Sequence, residues 1–181
     1  MKPLSAILSV AHQWNTLRSS LSNVAHHYDL DATLFRDFLD AGLNYSCAYH
    51  ESQSMTLEEA QVAKCKHIAR KLLLKPGQRV LDIGCGWGSL AIYLAEHHDV
   101  EVTGITLSEE QLKVAQKRAA DCNLQDKVKF KLLDYRNESN LYDRIVHILI
   151  LIPTYFLRPG YITTSVGPCD SFRPFSATAD T

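Results

Sequence analysis

Three glycines at alternate positions are the first chemistry-bearing feature of the chain. They are Gly84, Gly86 and Gly88, in the segment VLDIGCGWGSLA at residues 80–91, with Asp82 two residues ahead of the first. The apolar run before them reads as a strand and the stretch after them as a helix. The glycines therefore fall at the carboxyl edge of an α/β sheet, where the ligands of such sheets bind. Glycine there accepts positive φ and close approach, so a nucleoside-bearing ligand can lie directly over the turn. The spacing is GxGxG, not the GxGxxG of a dinucleotide reader, and no GK[ST] follows, which removes the P-loop reading. A tight turn without a ligand is the alternative. Three glycines in one turn cost chain entropy that a plain turn does not require, and this weighs against it.

More polar groups stand at the tips of the next strands. The segment GITLSEEQ, residues 104–111, offers Thr106, Ser108 and Gln111 where nicotinamide enzymes place an acid for the ribose hydroxyls. Ser108 and Gln111 are equally well explained as a capping box that starts a helix. Asp134-Tyr135 follows the third strand, and a surface turn acid is a full competitor there.

These residues need a scaffold, and the hydrophobic pattern supplies one. Thr56 with Glu59 forms a capping box for a helix through Ala60, Ala63, Ile68, Ala69 and Leu72, which Pro76-Gly77 stops. Strands are predicted over 79–83, 100–106, 128–133 and 142–152, with helices over 89–98 and from Ser108 to about Cys122. Strands alternating with helices of this length predict a parallel sheet with helices on both faces, because parallel strands need long crossovers. From Leu4 to about Leu39 apolar residues recur at helical spacings, which predicts a cap of short amphipathic helices. The chain thus divides into a helical cap and lead-in helix at 1–74, a Rossmann-like α/β core at 75–152 and a tail at 153–181.

Composition narrows the partners. With 181 residues, 22% charged, 46% hydrophobic and a formal net charge of -1, the chain fits one globular domain and shows no general affinity for nucleic acid. The five cysteines are odd in number and lack CxxC spacing, and no signal-peptide pattern opens the sequence. Free thiols in a cytoplasmic setting are expected. The longest uninterrupted apolar run, Ile148 to Ile152, is strand-sized and far short of the roughly 20 residues of a spanning helix. Contact with a membrane would be peripheral.

With Asp82 ahead of it, the glycine turn resembles motif I of class I S-adenosylmethionine (SAM)-dependent methyltransferases. Together with NVAHHYDL at 23–30, YSCAY at 45–49, LEEAQ at 57–61 and TLSEEQ at 106–111, it resembles the cyclopropane-fatty-acyl-phospholipid synthase family, which includes mycolic acid cyclopropane synthases. The order and spacing of these motifs over 23–146 carry the resemblance. It implies that Gly84, Gly86 and Gly88 lie against the methionine part of SAM and that Asp82 helps to position its ammonium. It further implies cofactor contacts from Tyr45, Ser46, Thr106, Leu107, Ser108 and Gln111, and adenine contacts near Asp134 and Tyr135. Cys47 matches an active-site cysteine. In the family that cysteine belongs, with a glutamate, a histidine and a tyrosine, to a site for bicarbonate, the base of the reaction. Without that chemistry Cys47 would be a small buried hydrophobe.

The implied reaction transfers a methylene from SAM to a cis-alkene of a phospholipid acyl chain through a carbocation, so the site must exclude water. Aromatic faces stabilise cations without attacking them, and Tyr28, Phe35, Phe38, Tyr45, Tyr49 and Trp87 are candidates to line it, with ordinary core as their alternative. The chain departs from the family at Asp31-Ala32, where Gly-Asn is usual, and at Phe35, usually tyrosine. After Val146 it lacks the Phe-Glu-His-Val-Gly segment and its glutamate. The sheet is accordingly expected to be incomplete, with an unpaired edge that invites homo-oligomers. Two further functions stay open: an inactive SAM-binding form, and a methyltransferase for another small acceptor.

Overall fold

In the computed structural model, Phe35 and residues 37–148 are described. The first long element is helix α1, Leu57–Leu72. Thr56 caps it reciprocally: its hydroxyl accepts from the Glu59 N–H at 3.2 Å, and its own N–H donates to Glu59 Oε2 at 2.8 Å. Glu58 and Glu59 in the first turn and Arg70 and Lys71 in the last complement the helix dipole. The predicted capping box and the stop before Pro76-Gly77 are both present. Strand β1, Gln78–Ile83, follows.

Helix α2 is Ser89–His97, strand β2 Val100–Thr106, helix α3 Glu109–Asp121 and strand β3 Val128–Leu132. A single 3-10 turn at Tyr135–Asn137 leads to strand β4, Arg144–His147. The predicted fourth strand began at Tyr142. It starts two residues later because Asp143 turns the chain, its carboxylate accepting from the Arg79 N–H at 2.8 Å. Positions beyond 148 lie outside the described residues, as do the cap positions before Phe35 and the tail.

All pairings are parallel, in the order β3-β2-β1-β4. Val80, Val102, Val128, Phe130 and Val146 face α1, α2 and α3, where Ile68, Leu72, Leu90, Leu94 and Ala115 complete one buried cluster. Leu72, Val80, Leu94, Val102 and Val146 are almost inaccessible to solvent. Each such aliphatic side chain contributes about 1.5–3 kcal/mol of burial. The opposite face carries Leu81, Ile83, Ile105, Leu133, Tyr142 and Ile145 in a smaller cluster. Helices were expected on both faces; among the described residues no helix contributes to this second cluster. No helix among them is long and apolar enough to cross a membrane.

Candidate functional site

The chain reverses its direction of winding at β1. From β1 the connections run outward to β2 and β3, and the fourth strand returns to β1's other side. A crevice opens at the carboxyl ends of β1 and β4, the usual position of a ligand in such sheets. A cavity of about 390 Å³ lies there, within the range of small-molecule sites.

The glycine turn forms its floor. The N–H groups of Gly84 and Cys85 both donate to the Ile105 carbonyl, at 2.9 and 3.0 Å, which ties the turn to β2. Gly84, Gly86 and Gly88 all have positive φ, but they serve different ends. A Cβ on Gly86 would meet nothing within 4 Å, and Gly86 lines the cavity. A Cβ on Gly88 would lie 2.6 Å from the Phe130 ring and 3.0 Å from Ala115. Gly88 is therefore a packing residue that lets α2 start against β3, and it does not line the cavity.

Asp82 sits on β1 beside this floor. It is 3% exposed, and its Oδ2 has no hydrogen-bond partner. Burial pushes its carboxyl up to about 7, opposed by the charge of Lys64. An unpaired buried carboxylate oxygen at a cavity wall is costly unless a ligand completes it.

Thr106, Leu107 and Gln111 line a second wall. The Thr106 hydroxyl donates to Gln111 Oε1 at 2.7 Å, and Ser108 Oγ accepts from the Gln111 N–H at 3.2 Å. Ser108 is thus the cap of α3, fully buried and outside the cavity lining. The Gln111 side chain turns to Thr106, where a reciprocal box would have sent it to the Ser108 N–H. The expected box is only half formed, and Gln111 is released to the cavity.

The third wall comes from the segment before α1. Asp40 organises it, accepting from the N–H groups of Gly42 and Asn44 at 2.8 Å each. Asn44 Nδ2 donates to Asp40 Oδ2 at 2.9 Å and to Ser89 Oγ at 3.2 Å, joining the segment to α2. Arg118 of α3 clamps it from the other side, its Nη1 donating to the carbonyls of Gly42 at 2.8 Å and Trp87 at 3.0 Å. Leu43, Asn44, Tyr45 and Ser46 then reach the cavity.

Of the predicted site residues, Tyr45, Ser46, Asp82, Gly84, Gly86, Thr106, Leu107 and Gln111 line this one cavity. Cys47 does not; it is exposed, so the buried-hydrophobe alternative for it falls. Cys65, Cys85 and Cys122 are also free thiols, and Cys169 lies outside the described residues. Asp134 and Tyr135 are absent from the lining. The Asp134 carboxylate is held by Arg136 through Nε at 2.8 Å and Nη2 at 2.6 Å, and these bonds keep it below its usual range. Among the aromatic candidates, Tyr45 and Trp87 line the cavity. Phe35 packs on both, at 5.9 and 4.8 Å between ring centroids. Phe38 and Tyr49 are exposed and outside the lining, and Tyr28 is outside the described residues.

Sequence reasoning missed Asn44, Ser89, His147 and the buried Lys64. Lys64 alone carried a signal, a cation at the fourth place after Ala60 on the apolar stripe Ala60, Lys64, Ile68, Leu72. His147, whose pKa burial lowers, reaches the cavity as the last residue of β4, paired with Ile83.

A parallel sheet wound outward from β1, with a glycine turn at the reversal and an orphaned acid beside it, defines a class: the Rossmann-like SAM-dependent methyltransferases. The crystal structure of a mycolic acid cyclopropane synthase complexed with SAH and CTAB superposes with a TM-score of 0.68 at 42% identity, covering 71% of this chain and 45% of that one. Residues 15–152 match the family described as mycolic acid cyclopropane synthetase, and the chain belongs to that family. The cyclopropane-fatty-acyl-phospholipid synthase of Escherichia coli is 52% identical over 122 residues, 67% of this chain and 31% of the enzyme. Cyclopropane mycolic acid synthase 1 of Mycobacterium tuberculosis is 44% identical over 133 residues, 73% of this chain and 46% of that protein. The chain thus spans from under a third to just under half the length of these relatives.

Proposed function

We propose that this chain binds SAM in the cavity over the glycine turn and forms the cofactor half of an enzyme that modifies cis-unsaturated acyl chains of phospholipids at a membrane surface. The observation that carries the reading is the unpaired Asp82 Oδ2, buried at the wall of a cavity floored by Gly84 and Gly86. A ligand with a positive amine beside a nucleoside fits that combination. Asp82 would hold the ammonium, the open space above Gly86 would admit the amino-acid part, and Thr106 with Gln111 would meet the ribose hydroxyls in place of an acid. Tyr45, Trp87 and Leu90 present apolar surface to the same space. When bound, SAM supplies an electrophilic methyl group to the alkene.

Bicarbonate fits the described residues poorly. Cys47 is exposed and does not line the cavity, and no glutamate lines it among the described residues. No deprotonation step is therefore assigned to this chain. The same observation favours a second reading, a SAM-binding form without turnover.

Calorimetry with S-adenosylhomocysteine (SAH) tests the first reading. The chain should bind it saturably, and Gly86→Val should abolish binding, because a branched side chain would fill the ligand's space and strain a positive φ. Equal affinity of the two proteins would remove the cavity from consideration.

A further inference from the structure

A lysine at 8% exposure requires an account, since an ammonium is seldom buried without compensation. The Lys64 Nζ donates to Ser46 Oγ at 2.9 Å and to Asn44 Oδ1 at 3.3 Å, both neutral acceptors in the third wall of the cavity. The charged and titratable groups that face it are Asp40, Asp82, Cys47 and Cys65. Asp40 is already occupied by three donors from Gly42 and Asn44. Asp82 has an oxygen with no partner. Among the described residues Lys64 is the cation that faces Asp82; the buried thiols of Cys65 and Cys85 also face it, and both are pushed up by burial and stay neutral. With Asp40 and Asp82 ionised, one ammonium leaves the cluster one positive charge short. A ligand ammonium at Asp82 supplies that charge.

We propose that Lys64 is a positioning residue of this site: its buried ammonium favours the ionised form of Asp82 against the effect of burial and fixes Asn44 and Ser46 in the cavity wall, so that a ligand's ammonium meets a carboxylate more often than a carboxylic acid. The inference rests on the reading of Asp82 as the ammonium-binding residue. Lys64 acts across the low-dielectric interior without touching the ligand, and the direction of its effect follows from Coulomb attraction, which favours the charged form of its neighbour. Its pKa is lowered by burial while Asp40 and Asp82 raise it, so the coupling is mutual.

The decisive measurement is an NMR titration of the Asp82 carboxyl carbon in the ligand-free 181-residue chain. In Lys64→Met the midpoint should rise by about one pH unit or more, while Lys64→Arg should keep it near the wild-type position. An unchanged midpoint in folded Lys64→Met would overturn the proposal. If that variant does not fold, the reciprocal test applies: Asp82→Asn should lower the Lys64 titration midpoint, and an unmoved midpoint counts against the coupling. Calorimetry gives a third readout. Lys64→Met should lose roughly tenfold in SAH affinity at pH 7 and regain most of it at pH 8.5, as Asp82 ionises. A loss independent of pH would assign Lys64 to structure alone. Failure of the wild-type chain to bind SAH at any pH would refute the cofactor reading, and the ligand-free titration would still decide the role of Lys64.

Discussion

At the scale of single residues, Asp82 carries the most consequence. Its ordinary pKa is near 3.9, and burial holds it at about 7 in the folded chain. The folded state therefore keeps a proton that the unfolded state has lost. The stability this contributes is complete below the ordinary carboxylate range, drains away as pH rises toward 7 and is gone above it. Ligand binding should run the other way, since an ammonium selects the ionised form. SAH affinity is expected to rise between pH 6 and 8, and Asp82→Asn should flatten that slope while raising the melting temperature of the ligand-free chain at pH 8. Paired melts and isotherms across the range check both signs. The neighbouring glycines show how one motif mixes roles. Gly86 opens onto the cavity and Gly88 onto Phe130, a division that residue type and spacing could not express.

At the scale of elements, the α3 start separates two functions that the sequence overlaid. The Ser108 cap uses the backbone N–H of Gln111, so Gln111→Ala should leave the helix start intact, whereas Ser108→Ala should cost about 1 kcal/mol of stability. Gln111→Ala removes instead the bond to Thr106 and a cavity-lining amide, and should weaken SAH binding more than it lowers the melting temperature. Thermal melts and isotherms on the two variants discriminate the cases. Elements of this kind were largely legible. The sequence pattern predicts strand β2 over 100–106 and it is Val100–Thr106, because β-branched alternation ends there at a capping serine. The site was legible where one turn builds it, as in the floor. It was illegible where distant segments converge: Asn44 reaches Ser89, 45 residues on, and Arg118 reaches Gly42, 76 residues back. No local periodicity records such contacts.

At the scale of the whole molecule, the described sheet has four strands and one helical layer, in a chain that spans less than half of the relatives named above. Ligand binding and turnover are separable on that architecture. A general base must lie within hydrogen-bond reach of the proton that it removes, and Cys47 is not among the residues that line the cavity. Incubation of the 181-residue chain with SAM and liposomes of cis-unsaturated phospholipid should leave the fatty acids without the mass gain of one methylene. Efficient cyclopropane formation would overturn that expectation. The Arg118 clamp also sets a clock. One guanidinium nitrogen bridges the Gly42 and Trp87 carbonyls, so that it ties the wall to the floor, and removing it leaves the Asn44–Ser89 bond to hold the wall. Residence time, more than capture, should then depend on it, as is usual for changes within one binding site. In Arg118→Ala the release rate of SAH, followed by stopped-flow fluorescence of Trp87 in a Trp14→Phe background, should increase by more than the association rate falls.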